Sequence, residues 1–242
     1  MNPDDIIKAA STINTGLTTI GAAIPFTAII NKMLGPASEE LAERFRDRVR
    51  IYRYGRQLDC LKKAEKMAED AGFTPKAVPI KLLFPLLEGA SLEENEDLHT
   101  MWAALMANAA DPDGSEKVRP GFIATLKQIS SDEAKLLERI YDDSRRIENR
   151  TGRYQLNFQS LSIGELYEAY QGNPIRKLNG EERTRLDALG FQHASFMSAR
   201  DGLYSARLLE TPINHARECS RITHRGITFV EACRPPKIRS KE

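Results

Sequence analysis

Apolar residues recur at helical spacing over most of the chain. The longest run begins at Ser38, a residue type that favours helix N-caps, and Gly72 ends it. It predicts one helix of roughly 33 residues, or about 50 Å. Two apolar stripes lie along it: Leu41, Phe45, Val49 and Tyr52 form one, and Ile51, Tyr54, Leu58 and Leu61 form the other. A helix that is apolar on two sides is expected to be a buried central pillar.

Shorter helices are predicted after this long one. A proline-rich apolar stretch predicts a short helix that ends by Gly89, and Ser-x-x-Glu capping boxes at Ser91 and Ser130 predict two helix starts. The four residues from Asp111 to Gly114 supply a turn. The predicted helices span about 79–89, 91–110, 120–128 and 130–151.

The C-terminal part combines short helices with extended stretches. Helices are expected to start at Ser162 and Asn179, and the second is expected to end at Gly190 in a left-handed C-cap. Residues 191–211 suit a loose hairpin, with residues 221–222 as the returning strand before Thr223 caps a final helix. This order is typical of winged-helix modules, although about thirty residues is long for a wing.

These patterns predict a mainly α fold. A helical bundle around one long helix at about 39–71 is followed by a C-terminal winged-helix-like α+β module. We expect three segments: an apolar N-terminal helical segment at 1–37, a helical core at 38–150, and the winged-helix-like module with its basic tail at 153–242.

Residues 9–31 carry no charge, and 23 residues are long enough to cross a bilayer as one continuous apolar helix. Gly16, Gly21 and Pro25 interrupt the segment, and its many threonines lower both its helix propensity and its transfer energy. We expect two short helices broken near Pro25. The alternative is a membrane-active segment that is held against the body of the protein at rest.

The overall charge predicts no strong attraction to polyanions. Lys and Arg number 35 against 34 Asp and Glu, so any such attraction must come from local patches. The three cysteines have no close pair, which is typical of free thiols in a reducing compartment. The opening residues do not resemble a secretory signal. We expect a cytoplasmic protein that associates with membrane, if at all, on activation.

Two groups of arginines are candidates for binding. One lies on the long helix, where a solvated, salt-bridged face is the alternative to a surface for phosphate or an acidic partner. The other lies in the C-terminal part, where winged helices bind either nucleic acid or protein. The candidate partner- or phosphate-binding residues are Arg46, Arg50, Arg53, Arg183, Arg185, Arg221 and Arg225.

Reactive chemistry has weak support in the sequence. The acidic residues between 88 and 97 could gather a metal, but carboxylates at a helix start stabilise its dipole without an ion. The histidines and cysteines lack zinc-site spacing, and phosphate-cradling glycine loops are missing. We therefore expect no metal, no cofactor and no small-molecule substrate. Arg217 and His224 fit the spacing of metal-independent ribonucleases, where histidine acts as acid or base, but chance also produces such a match.

Four stretches carry a resemblance to a known family. They are FRDRVRIYRYGRQL, PLLEGASLEENEDLHTMWAALMANAADP, RPGFIATLKQISSDEAKLL and ITHRGITFVEACRPP. They resemble the abortive infection alpha family of bacterial phage-defence proteins over residues 35–236. The shared residues are Arg46, Asp47, Arg48, Leu86, Leu87, Glu88, Trp102, Leu105, Asn108, Asp111, Pro112, Phe122, Gly226, Phe229 and Cys233. His224 and Arg225 depart from the pattern, which favours an apolar residue or proline after Thr223.

The resemblance implies a role in defence through growth arrest or death of the infected cell, and it brings no catalytic residues. Trp102, Asn108, Asp111 and Pro112 are expected to be structural, with Trp102 in the core and the others at a helix end. We expect action by binding or membrane perturbation rather than catalysis. The partner would be a protein, a phage component or, through residues 9–31, a membrane. The alternatives are a nucleic-acid-binding winged-helix regulator and a metal-independent ribonuclease.

Overall fold

A computed structural model describes residues 38–114, 118–151, 160–212 and 219–239. The chain divides into two compact units, Met1–Tyr52 and Arg53–Glu242. The predicted membrane-active segment at 9–31 and the candidate residue Arg217 lie outside the described residues. The predicted division into three segments stays a prediction.

The described residues are mainly helical, which confirms the predicted fold class. The helices are α1 Ser38–Ala71, α2 Ile80–Leu92, α3 Glu96–Ala110, α4 Pro120–Leu126, α5 Ser131–Thr151, α6 Ile163–Gln171, α7 Gly180–Gln192, α8 Ala194–Ser205 and α9 His224–Ala232. The strands are β1 Leu161–Ser162, β2 Leu209–Glu210 and β3 Cys219–Ile222.

Predicted capping residues hold several of the helix ends. The Ser162 hydroxyl accepts the Glu165 N–H at 3.3 Å, and the Glu165 carboxylate accepts the Ser162 N–H at 2.8 Å. Asn179 caps α7 in the same reciprocal way, and Thr223 caps α9. Gly72 follows α1 with a φ of 78°, as its predicted role as a stop requires.

The predicted capping box at Ser91 is wrong. Ser91 lies inside α2, and its hydroxyl donates to the Glu88 carbonyl at 2.7 Å. Asn95 caps α3 instead, because its side-chain oxygen accepts the N–H groups of Asp97 at 3.0 Å and Leu98 at 3.1 Å. Both residues suit an N-cap, and tertiary packing decides between them.

The predicted C-cap at Gly190 is also wrong. α7 continues to Gln192, and a Cβ at Gly190 would lie 2.8 Å from Ile163 Cγ2. Glycine is therefore needed there for close packing of α7 on α6, whereas a left-handed conformation is found at Gly172, which follows α6.

A helix occupies much of the stretch that was expected to be a loose hairpin. α8 is capped by His193, whose Nδ1 accepts the Phe196 N–H at 3.2 Å. Its buried positions, Phe196, Ala199 and Leu203, have helical spacing, but small and polar residues between them weaken the pattern.

Three short strands form an antiparallel sheet in the order β1-β3-β2. Leu161 pairs with Ser220, and Leu209 pairs with Ile222. Because α8 takes up part of the sequence before β2, only residues 211–218 connect β2 to β3. Part of the length that argued against a wing is therefore helix, and the winged-helix arrangement itself stays a prediction.

The core of the unit Arg53–Glu242 surrounds α3, in which every residue from 101 to 110 is buried. Trp102 is 1% exposed, and a Cβ at Gly89 of α2 would lie 2.3 Å from its Cη2 atom. The part of α1 that belongs to this unit turns its small residues inward, since Cys60, Ala64, Ala68 and Ala71 are all buried.

The second predicted stripe of α1 is exposed rather than buried. The exposed fractions of Tyr54, Leu58 and Leu61 are 62%, 36% and 39%. The expectation of a helix covered on two sides is wrong for this stripe, because the small residues of α1 make the contact with the core. The pattern of large apolar residues does not reveal such a face.

Because Trp102 packs directly on Gly89 of α2, alanine substitutions at two helical glycines should have opposite effects on the free energy of unfolding. Gly89→Ala should lower the free energy of unfolding by about 1–3 kcal/mol through overpacking. Gly55→Ala in α1, where a Cβ would have nothing within 4 Å, should raise it by roughly 0.5–1 kcal/mol. Urea unfolding followed by circular dichroism measures both. Equal effects of the two substitutions would contradict the close contact.

Candidate functional site

Three basic side chains of α1 converge on the connection between α2 and α3. Arg53 Nε donates to Ser91 Oγ at 3.1 Å, and Arg56 Nε donates to the Glu93 carbonyl at 3.0 Å. The Lys63 ammonium lies 2.8 Å from a Glu96 carboxylate oxygen. Arg53, a candidate for phosphate binding, is thus half-buried and used to hold α1 against α2.

Glu96 and His99 of α3 complete this network. Glu96 also pairs with Arg56, and hydrogen bonds from Lys63 and then Arg56 lower the pKa of Glu96 to about 2. His99 is fully buried, with Nε2 3.1 Å from the Arg56 carbonyl and Nδ1 3.2 Å from the Lys63 ammonium. Since a carbonyl only accepts, Nε2 carries the proton and Nδ1 accepts from Lys63.

The pKa values in the core are those of neutral buried groups. Burial lowers the pKa of His99, and burial raises the pKa of the Cys60 thiol to about 12. Burial also raises the pKa of Cys233, so these two sulfurs remain protonated and poorly nucleophilic at neutral pH.

The candidate arginines in the first part of α1 are exposed. Arg46 and Arg50 both face solvent, and Arg50 lies 3.6 Å from Asp47 in a pair whose side chains are 77% and 67% exposed. Such an exposed pair contributes little energy. The Arg50 guanidinium can therefore change partners readily.

The candidate arginines of the C-terminal part have closer partners. Arg221 pairs with Glu210 at 2.6 Å, and Arg225 donates to Thr125 Oγ1 at 3.0 Å. Arg183 lies 3.5 Å from Asp187, and Arg185 is exposed.

Two further arginines fasten the tail to the helices. Arg234 forms a two-pronged pair with Asp142, at 2.6 and 2.9 Å, and lies over the Tyr141 ring. Arg239 pairs with Asp111 and lies 5.0 Å from the centre of the Phe73 ring. Much of the charge of the described basic tail is thus paired with other groups of the protein.

The family-motif residues join separate elements. The Asn108 amide nitrogen lies 3.0 Å from the Ala104 carbonyl, 2.9 Å from that of Ala232 and 2.8 Å from that of Arg234. It therefore ties α3 to the end of α9. Asp111 accepts the Asp113 N–H at 2.9 Å, and Lys76 Nζ lies 3.2 Å from the Pro112 carbonyl.

The acidic residues between 88 and 97 lie close to cations of the protein. Glu88 pairs with Lys127 at 2.6 Å, and Asp97 pairs with Lys135 at 3.1 Å. Within the described ranges, no group of three or more His, Cys, Asp or Glu side chains could hold a metal ion. His224 is exposed at the start of α9, and its pairing with Arg217 in a ribonuclease site stays a prediction.

Sequence reasoning missed the network around His99. Arg56 and Lys63 lie seven residues apart, and Glu96 and His99 lie three apart, so each pair shares one helix face. The sequence shows this spacing within each helix. It does not show that the two helix faces contact each other, because that contact joins residues more than thirty positions apart.

Comparison with known proteins gives one match. A family model described as abortive infection alpha matches residues 55–233. No curated protein and no solved structure matches the chain. Within the part of the chain that the structure describes, no helix has the length and apolar content of a membrane span.

The buried His99 predicts a loss of stability in mild acid. Its pKa is lowered in the folded state, so the unfolded state binds the proton more strongly. Its contribution is present above the unfolded pKa of about 6.5 and is lost as pH falls below it. The free energy of unfolding should fall between pH 7 and pH 5, by at most about 1.4 kcal/mol per pH unit from this group.

Urea unfolding across this range tests the prediction. His99→Gln should flatten the pH dependence, whereas the exposed His224→Gln should leave it unchanged. The Glu96 contribution, from a pKa lowered to about 2, is lost only below about pH 4.5 and does not interfere. An unchanged slope in His99→Gln would contradict the assigned protonation state.

Proposed function

The chain belongs to the abortive infection alpha family, and from that premise we propose that it is a phage-defence protein that acts by binding an anionic membrane surface. The match covers most of the chain, from residue 55 to residue 233. Binding rather than catalysis would be its output, and growth arrest of the infected cell would follow from the membrane contact.

The observation that carries the proposal is the exposed surface of α1 between residues 46 and 51. Arg46, Arg48 and Arg50 all face solvent there. Val49 and Ile51, which are 39% and 46% exposed, lie among them. Exposed basic side chains on one short stretch of helix can attract the anionic headgroups of a bilayer, and the exposed apolar side chains between them can add contact.

The sequence before α1 supports the same partner. Residues 9–31 carry no charge, so entry of this segment into lipid would not require burial of an ionised group. We propose that the arginines of α1 supply the electrostatic attraction and that residues 9–31 supply apolar contact. Infection would release this segment from the body of the protein.

A second candidate function is nucleic-acid binding through the C-terminal part. The sheet order β1-β3-β2, with helices between β1 and β2, supports the winged-helix interpretation. The helix just before β2 is the one that reads DNA in such modules. In this chain that helix is α8, whose exposed side includes Ser195, Ser198 and Asp201. These residues suit protein docking better than phosphate.

Vesicle binding by the full-length protein tests the membrane proposal. The protein should cosediment with phosphatidylglycerol vesicles and not with phosphatidylcholine vesicles. Arg46→Glu combined with Arg50→Glu should weaken binding at least tenfold, because each basic residue near an anionic surface contributes about 1 kcal/mol.

The matched control makes the same two charge reversals on α7. Arg183→Glu combined with Arg185→Glu should bind vesicles like the unmodified protein. Equal weakening by both double variants would show a net-charge effect and would remove α1 as the binding surface.

Electrophoresis with duplex DNA or RNA tests the second candidate function. Because Arg221 and Arg225 have internal partners, we expect no shift of duplex DNA or RNA at 50 mM salt in electrophoresis. A shift that falls steeply with salt would rank this function above membrane binding.

A further inference from the structure

The imidazole of His99 joins two helices through both of its nitrogens. The ring is fully buried on α3, its Nε2 proton goes to the Arg56 carbonyl, and its Nδ1 accepts from the Lys63 ammonium at 3.2 Å. Arg56 and Lys63 both belong to α1. This contact between α1 and α3 therefore depends on a neutral ring with one defined tautomer.

Apolar packing gives this part of α1 little support. Its inward residues, Cys60 and Ala64, have small side chains, whereas Leu58 and Leu61 are partly exposed. Among the described elements, backbone packing between α2 and α3 is more extensive than that between α1 and any other element. Because a small side chain removes little apolar area from water, the attachment of α1 relies on its polar contacts.

The charges around His99 are not balanced. Glu96 accepts from Lys63 at 2.8 Å and also pairs with Arg56, so one carboxylate serves two cations. Within the described part of the chain, these three are the charged groups that act on the ring. α2, α5 and α9, the other helices that pack on α3, supply none. The cluster therefore has one net positive charge while the ring is neutral.

A protonated His99 is incompatible with these contacts. Its Nδ1 would become a donor and would face the Lys63 ammonium across 3.2 Å, with no lone pair between them. Rotation of Lys63 towards solvent would relieve this repulsion but would leave the imidazolium buried, which is costly for an ion without a carboxylate partner. Burial also lowers the pKa of His99, in agreement with this cost. Water can reach the ring only when α1 moves away from α3.

We propose that His99 is a proton-operated latch, in which uptake of one proton at Nδ1 releases residues 53–64 of α1 from α2 and α3. Only hydrogen bonds and ion pairs break in this step. Release frees Arg53, Arg56 and Lys63 from their internal partners, so that three basic groups become accessible to solvent. The latch does not depend on the proposed membrane binding.

The remaining contacts keep the release local. α2 and α3 stay packed through Gly89 and Trp102, which make no use of α1. The end of α1 is held separately, because the Arg239 N–H donates to the Ala71 carbonyl at 3.1 Å and the Arg239 guanidinium lies over the Phe73 ring. Residues 53–64 can therefore move while the core and the end of α1 stay in place.

Thiol labelling of the full-length protein measures the release, because Cys60 lies on the released segment and Cys233 lies after α9. Both are buried. A pyridyl disulfide reacts with thiols in mild acid, mass spectrometry of peptides gives the rate at each cysteine, and each rate is divided by that of glutathione at the same pH. With an unperturbed histidine pKa of about 6.5, the relative rate at Cys60 should rise about tenfold from pH 7.5 to pH 5.5.

The rate at Cys233 distinguishes release from unfolding. At pH 5.5 it should stay at least tenfold below the rate at Cys60. Equal rates at the two cysteines would show that the whole unit unfolds, and a rate at Cys60 that is independent of pH would show that α1 stays attached. Either result overturns the proposal.

Substitutions identify the group that takes up the proton. His99→Gln can keep both hydrogen bonds without titrating, so labelling of Cys60 should become independent of pH. Lys63→Met removes the cation that opposes the proton, so the rise should be smaller than tenfold, and this variant serves as the test where His99→Gln does not fold. Lys66→Met, at an exposed position of α1, is the matched control and should keep the full rise. A full rise in His99→Gln or in Lys63→Met overturns the proposal.

Discussion

Close packing around Trp102 is the constraint on which the arrangement of the helices depends. α3 is buried along its whole second half, and two of its neighbouring helices approach it through small residues. α2 does this with Gly89, whose missing Cβ leaves room for the indole ring. α1 does it with Cys60 and Ala64. Because protein interiors are packed as densely as crystals, these small residues fix the distances between the helices.

The sequence predicted the helix ends better than the packing. Capping at Ser162, Asn179 and Thr223 is a local exchange between side chain and backbone, so three or four residues carry the signal. The buried face of α1 consists of alanine and cysteine, which add little to an apolar periodicity. The more visible stripe of large residues, including Leu58 and Leu61, was therefore assigned to the core although it is exposed.

Prediction from the sequence is limited in the same way for the charged residues of the candidate site. A run of arginines can be read from the sequence, but the partners that occupy them are far away along the chain. Arg234 pairs with Asp142, and Arg225 contacts Thr125 one hundred positions earlier. The sequence therefore indicated a basic tail, whereas the folded tail holds much of its charge in internal contacts. The folded structure is therefore needed to distinguish these paired arginines from the exposed arginines of α1.

This separation determines where an anionic partner can be attracted. The net charge of +1 gives almost no long-range field, and at physiological salt the Debye length is about 8 Å. Attraction must then arise from basic groups that lie close together and are exposed to solvent, as Arg46 and Arg50 are. A guanidinium fixed by a carboxylate, such as Arg221 beside Glu210, would have to break that pair before it could bind. Local exposure, rather than the number of basic residues, therefore governs which surface of this protein can act.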